Sequence, residues 1–137
     1  MNDVRLFTLE GAARHHPAVK AWFASPPTAL RGVAQRWFQP MRAAGPDVHE
    51  LLHDGCPTAC VDDLALGYVN TFAAHVNVGF FFGTALCDDF GLLEGTGRYM
   101  RHVKVRPAAF ENDAALHALI LDAYQDVKAR LAARRSP

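Results

Sequence analysis

The sequence has few cysteines and no long apolar run. Its three cysteines, Cys56, Cys60 and Cys87, are an odd number without the spacing of a disulfide scaffold. No run approaches the roughly 18 apolar residues that mark a membrane helix. Residues 1–6 lack the basic start and apolar stretch of a signal peptide. We therefore expect reduced thiols, no membrane association and a cytoplasmic location.

An excess of charge of one sign is also absent. Fourteen Lys and Arg residues balance 14 Asp and Glu residues, which argues against nucleic-acid binding through bulk charge. Of the 137 residues, 50% are hydrophobic and 20% are charged, a composition typical of globular proteins. A chain of this length can fold as one unit without a metal or a disulfide. We predict a single domain over residues 1–137.

Proline and glycine divide the chain into a helical first part, a β-rich middle and a closing helix. Apolar residues at helical spacing predict helices over residues 17–24 and 25–44, with Ser25 as the N-cap of the second. A further helix is predicted over residues 48–55. Asn112 is the expected N-cap of the closing helix.

Short β-like runs fill the middle of the chain. Their boundaries are residues 58–61, 67–72, 75–82 and 99–106, and residues 73–74 are short enough to join the second and third as a hairpin. Antiparallel strands bracketed by helices predict an α+β fold. We expect a two-layer sandwich in which the helices cover one face of the sheet.

The other face of that sheet is predicted to be open to water or to a partner. In the run 75–82, alternation places Phe81 on this face together with His75, Asn77 and Gly79. An exposed Phe81 predicts an apolar patch that pairs two copies of the chain. We therefore expect a homodimer.

Three segments resemble the YdhG-like family of uncharacterised proteins. They are residues 68–83 (YVNTFAAHVNVGFFFG), residues 91–105 (GLLEGTGRYMRHVKV) and residues 123–131 (AYQDVKARL). The sequence departs from the family pattern at Arg98, where Lys is expected, and at Asp89, where Pro is expected. The resemblance implies a frataxin-like α+β topology, frequent homodimers, no agreed catalytic residues and, for some members, an iron-chaperone role.

A glycine-rich run, residues 91–97, leads directly into a basic strand. Glycine backbone amides can converge on an anion, and strand alternation places basic side chains on one face. A phosphate or carboxylate would find both donors and charge there. The alternative is a tight turn before an edge strand that its basic residues keep soluble. The predicted anion site consists of Gly95, Gly97, Arg98, Arg101, His102 and Lys104.

A second candidate site combines histidine and cysteine. His49 and His53 lie one turn apart on the predicted helix, and Cys56 and Cys60 follow, a ligand set that suits iron or zinc. The alternative is that both cysteines are small buried hydrophobic residues. A nucleophilic cysteine with His53 as base lacks any recognised signature.

We interpret the chain as a non-enzymatic binding or interaction module. It is predicted to recognise a small anionic ligand or a protein partner through residues 91–106. The first alternative is a frataxin-like iron-binding chaperone. The second is an enzyme without a recognisable motif, for which no catalytic residues are assigned.

Overall fold

The secondary structure follows the predicted division into a helical first part, a β-rich middle and a closing helix. The structure is a computed structural model and describes residues 4–135, so both ends of the predicted domain lie outside the described residues. The helices are α1 (Pro17–Phe23), α2 (Thr28–Ala43) and α3 (Asp113–Arg135). The strands are β1 (Val48–His53), β2 (Cys56–Val61), β3 (Leu64–Thr71), β4 (Val76–Phe80), β5 (Leu93–Glu94) and β6 (Arg101–Val105).

The six strands form one antiparallel sheet in the order β1-β2-β3-β4-β6-β5. Helix α2 packs on β3 and β4, and α3 packs on β3 and on α2. Val69, Val78 and Val103 form a buried cross-strand row. The predicted α+β fold, with helices on one face of the sheet, is confirmed. No helix within residues 4–135 has an apolar stretch long enough to cross a membrane.

Both edges of the sheet end in a short strand pairing. On one side, β5 contributes only two residues, which pair with β6. On the other side, Ala13 forms an isolated antiparallel bridge with Glu50 of β1, with backbone hydrogen bonds of 2.9 and 2.8 Å. Short edge strands of this kind limit further strand pairing.

The predicted helix over residues 48–55 is wrong, because these residues form β1 and the turn into β2. Val48 and Leu51 are spaced as on a helix, yet both are buried residues of a strand. Asp54 and Gly55 have φ values of 50° and 74°. An Asp-Gly pair with positive φ at both positions is the signature of a two-residue hairpin, and this turn outweighs the apolar spacing.

The N-cap predicted for α2 is also wrong. The helix begins at Thr28 after Pro27, whose side chain makes no capping bond. The Ser25 hydroxyl instead donates to the carbonyl of Ala21 at 2.8 Å. The preceding helix α1 is capped by His16, whose Nδ1 accepts a hydrogen bond from a backbone amide.

The hairpin that joins β3 to β4 is confirmed. Residues 73–74 form its tip, and the Phe72 amide donates to the His75 carbonyl at 2.9 Å. The two rings stack, with centroids 4.9 Å apart. Since a tight loop fixes the register of its strands, this turn determines which side chains meet across β3 and β4.

Phe81 is buried, so the exposed patch predicted there is wrong. Only 4% of Phe81 is exposed. Its ring lies 5.2 Å from Phe7, in the N-terminal 3₁₀ turn (Val4–Phe7), and 5.7 Å from Tyr68. The N-terminal segment therefore covers the side chain that was expected to pair two subunits. A homodimer stays a prediction without this surface.

Candidate functional site

The sheet face opposite the helices carries a continuous row of polar side chains. The register pairs Thr58 with Tyr68 on β3, Asn70 with Asn77 on β4, and Asn77 with Lys104 on β6. Paired residues project to the same side of an antiparallel sheet, as do residues two apart on one strand. These five residues therefore share the open face.

Part of this face forms a cavity of about 260 Å³. Its floor is formed by Thr58, Tyr68, Asn70 and Asn77, and Phe81 closes one side. The rim includes His53, Asp54, Cys56, Phe72 and Met100. The volume lies just below the roughly 300–1,000 Å³ of pockets for drug-sized ligands, so the cavity suits a small molecule.

The position of the Tyr68 ring depends on Gly79 of the neighbouring strand. A Cβ at Gly79 would overlap Cε1 and Cζ of Tyr68. Glycine within a strand often marks such a close approach. Burial raises the pKa of Tyr68, and Cys56 adds to the effect. The phenol therefore remains protonated at neutral pH.

The polar groups of the cavity floor differ in whether the fold satisfies them. The Thr58 hydroxyl donates to the Cys56 carbonyl at 3.0 Å. Oδ1 of Asn70 accepts a hydrogen bond from the Thr71 amide at 2.9 Å. Oδ1 of Asn77 is buried and makes no hydrogen bond of normal geometry. The His75 side chain is the neighbour with which the Asn77 side chain interacts.

Basic side chains border the cavity on the β6 side. Lys104 lies opposite Asn77, and His102 lies two residues earlier on the same face. The pKa of His75 is lowered, first by burial and then by Lys104, Arg106 and His102, while the Asn77 side chain acts weakly in the opposite direction. Lys104, Arg106 and His102 are therefore close enough to His75 to disfavour its protonated form.

Two carboxylates offset part of this charge, because Asp54 lines the cavity beside His53 and Glu94 lies near Lys104. Glu94 of β5 places Oε1 3.9 Å from Nζ of Lys104. Both side chains are partly exposed, at 52% and 27% respectively. A long, solvent-screened pair of this kind is weak. Lys104 thus remains available to an anion at the rim of the cavity.

The six residues predicted for anion binding separate into two groups. His102 and Lys104 lie on the open face. Arg101 instead turns back on its own loop, where Nη1 donates to the carbonyls of Gly97 at 2.5 Å and Met100 at 2.7 Å. Its guanidinium is therefore engaged in stabilising the loop.

The remaining predicted residues also belong to the loop before β6. Gly95 has a φ of 126°, whereas Gly97 is not in the positive-φ region. The guanidinium of Arg98 lies 5.4 Å from the centre of the Tyr99 ring. The structure thus groups these residues around the loop rather than with the two open-face basic residues.

The backbone amides of the glycine-rich run do converge on an anion, and that anion is Asp88. The amides of Leu92 and Leu93 donate to its two carboxylate oxygens at 2.8 and 2.9 Å. Gly91 also donates its amide to the Asp88 carbonyl at 3.2 Å. These three amides are therefore used inside the loop, whereas an anion site at the Gly95 and Gly97 amides stays a prediction.

The four predicted metal ligands do not converge on one ion. They lie on β1 and β2, where His49 is opposite Cys60 and His53 is opposite Cys56. The two pairs are four residues apart, which is ~13 Å along a strand. Within residues 4–135 no three His, Cys, Asp or Glu side chains are grouped to hold a metal. The iron-chaperone role stays a prediction.

The cysteines of this hairpin are not activated nucleophiles. Burial, with a smaller effect of Asp63, raises the pKa of Cys60 to about 12. Burial and then Asp54 raise the pKa of Cys56, whose thiol donates to the Asp54 carbonyl at 3.5 Å. Since the thiolate is the reactive form, both environments oppose covalent chemistry at neutral pH.

Three residues of the cavity floor, Thr58, Tyr68 and Asn70, were missed by sequence reasoning. A signal was present, because Tyr68 and Asn70 alternate with apolar residues on one strand, as Asn77 does on the next. The two-residue hairpin fixes the register, which would have placed Asn70 opposite Asn77.

Comparisons of the chain with protein-family models, curated proteins and solved structures found no match. The resemblance to the YdhG-like family therefore stays a prediction. What the protein binds has to be inferred from the arrangement of its own residues on the open face of the sheet.

Proposed function

We propose that the protein is a non-enzymatic binding module that holds a small organic anion on the open face of its sheet. The observation that carries this proposal is the cross-strand pairing of Asn77, on the cavity floor, with Lys104 on the basic strand. Directly opposite residues have Cβ atoms about 4.5–5.5 Å apart. A molecule in the cavity therefore lies within reach of the Lys104 ammonium.

The basic side chains on the β6 side of the cavity favour an anionic ligand, whereas Asp54 in the lining opposes one. The basic groups lie close to His75. Burial is the main cause that lowers the pKa of His75, and Lys104, Arg106 and His102 lower it further. An anion would be attracted by the permanent charges of Lys104 and Arg106. Charge-assisted hydrogen bonds to carboxylate or phosphate are stronger than neutral ones.

The chemistry of the cavity favours binding over catalysis. Cys56, the nucleophile nearest to the floor, has a raised pKa and a thiol that donates to a backbone carbonyl. The Thr58 hydroxyl is likewise engaged with a carbonyl. In this proposal, the ligand contacts are made by the open-face residues His102 and Lys104, while Arg101 shapes the loop before β6.

The proposal is tested by calorimetric titration and thermal shift at low ionic strength, with benzoate and inorganic phosphate as probes. We expect at least one of them to bind and to raise the melting temperature of the wild-type protein. The variant Lys104→Met should lose most of that binding and keep its unliganded melting temperature, because exposed charges contribute little to folding. The control is Lys20→Met on α1, which should bind as the wild type does. Absence of binding by both probes, or unchanged binding in Lys104→Met, would overturn the proposal.

A further inference from the structure

An exposed aromatic ring lies at the rim of the open-face cavity. Phe72 is 45% exposed, and its ring stacks on His75 with centroids 4.9 Å apart and an interplanar angle of 13°. Phe72 also lines the cavity, together with Tyr68 and Phe81. Because His75 covers one side of the Phe72 ring and holds its orientation, the other side is available to a planar ligand.

The cavity beside this ring suits a flat group with polar edges. Its volume is about 260 Å³, and its lining includes Tyr68 and Asn70, which are half-buried and carry a hydroxyl and an amide group. Open sheets commonly bind nucleobases by stacking them on aromatic side chains, since every base has a flat π-face. The lining therefore fits a nucleobase better than a plain hydrocarbon ring.

The basic strand lies at a distance from this ring site. Asn70 of β3, Asn77 of β4 and Lys104 of β6 form one cross-strand row. Neighbouring strands are 4.7–4.9 Å apart, so the backbone of Lys104 lies about 10 Å from that of Asn70. An anionic group bonded directly to the ring stays over the ring site, whereas one carried on a spacer reaches β6. A sugar phosphate attached to a base supplies both the spacer and the anion.

Charge determines which end of such a ligand faces which strand. Asp54, in the turn between β1 and β2, lines the cavity and lies 3.4 Å from His53. The sheet order places β1 and β2 on one side of β3 and β4, and β6 on the other. A phosphate is repelled at the Asp54 side and attracted by Lys104 at the β6 side. The base therefore occupies the ring site, and the phosphate lies beside β6.

We infer that the small organic anion is a nucleoside monophosphate, whose base stacks on Phe72 and whose phosphate pairs with Lys104. The inference rests on the proposed function and names the ligand class of the same site. Fourteen basic residues balance 14 acidic ones, which favours a free nucleotide over a nucleic-acid chain held through many phosphates.

The experiment compares UMP and AMP with ribose 5-phosphate by calorimetric titration of the full chain at low ionic strength. We expect at least one nucleotide to bind roughly tenfold more tightly than ribose 5-phosphate, a factor within the range that one stacked base contributes. A hexauridylate should bind no more tightly than UMP. Tighter binding of the hexauridylate would overturn the free nucleotide in favour of an RNA chain.

Three variants locate the effect. Phe72→Ala removes the stacking face and should lose most of the roughly tenfold preference for the nucleotide. The control Phe90→Ala changes a ring that is 71% exposed and lies outside the cavity lining, and it should keep the preference. Lys104→Met should weaken the binding of the nucleotide and of ribose 5-phosphate by the same factor. An unchanged preference in Phe72→Ala would overturn the inference, and if this variant does not fold, the comparison in the wild-type protein decides.

Failure of the inference and failure of the proposed function give different results. If benzoate or phosphate binds but neither nucleotide binds more tightly than ribose 5-phosphate, the inference alone is overturned, and the open face is an anion site without base recognition. If benzoate, inorganic phosphate, ribose 5-phosphate and both nucleotides all fail to bind, the proposed function and the inference are both overturned.

Discussion

The Tyr124 hydroxyl donates a hydrogen bond of 2.7 Å to Oδ1 of Asp47, which joins the last helix to the connection between α2 and β1. Lys128, one turn further along α3, pairs with the other oxygen of the same carboxylate. The bond to Lys128 is the main cause that lowers the pKa of Asp47. The Asp47 carboxylate thus links α3 to the α2–β1 connection, through a hydrogen bond between residues 77 positions apart in sequence.

This carboxylate predicts an acid-dependent loss of stability. The pKa of Asp47 is lower in the folded chain than its ordinary value of 3.8. Its contribution is therefore present above that value and is lost as the pH falls through the lower folded pKa. We expect Asp47→Asn to be less stable than the wild type at neutral pH and to lose less stability on acidification. Urea unfolding over a pH series measures this, with the exposed Glu10→Gln as control. Parallel curves for Asp47→Asn and the wild type would contradict the prediction.

The close approach of Tyr68 to Gly79 predicts a sharp response to one added methyl group. In Gly79→Ala the new Cβ overlaps the Tyr68 ring, so the ring has to leave the cavity floor. We expect a loss of about 1–3 kcal/mol in the free energy of unfolding, as for other overpacked sites. Probe binding should weaken too, since Tyr68 lines the cavity.

The control for this variant is Gly32→Ala. Gly32 lies on α2, and a Cβ there meets no atom within 4 Å. We expect it to be neutral or to stabilise by up to about 1 kcal/mol, because alanine favours helix. Denaturant titration of both variants gives the comparison. Equal stability of Gly79→Ala and the wild type would show that the ring is not held there.

The three cysteines are predicted to react with a thiol reagent at very different rates. Cys87 is exposed, although its hydrogen bond to Asp89 raises the pKa of its thiol, whereas Cys60 is buried with a pKa raised to about 12. Cys56 is half-buried, and burial raises its pKa as well. Under native conditions we expect Cys87 to react first, Cys56 more slowly and Cys60 only after unfolding. Loss of the fast labelling phase in Cys87→Ser would identify Cys87 as the thiol that reacts first. Fast labelling of Cys60 in the folded protein would refute the assignment.

The sequence predicted those parts of the fold that local patterns encode. The β3–β4 hairpin was found because a short polar-apolar alternation flanks residues 73–74. Strand β1 was missed because Val48 and Leu51 match helical spacing, although the Asp54-Gly55 pair signals a hairpin. The apolar spacing indicated a helix there, whereas the Asp-Gly turn indicated a hairpin, and the structure contains the hairpin.

The candidate site was harder to predict because it depends on contacts between distant residues. His102 and Lys104 were identified from strand alternation. The burial of Phe81 depends on Phe7, 74 positions earlier, and no local pattern reveals it. The cavity needs the joint register of β2, β3 and β4, of which only the hairpin register can be read from the sequence.

The short strand pairings at both edges of the sheet also restrict how this protein can associate with itself. The Ala13–Glu50 bridge occupies backbone groups on the outer side of β1, and the two residues of β5 shield β6. A second copy therefore finds little free backbone with which to lengthen the sheet into a continuous intermolecular one. Association through surface side chains is therefore favoured over lengthening of the sheet.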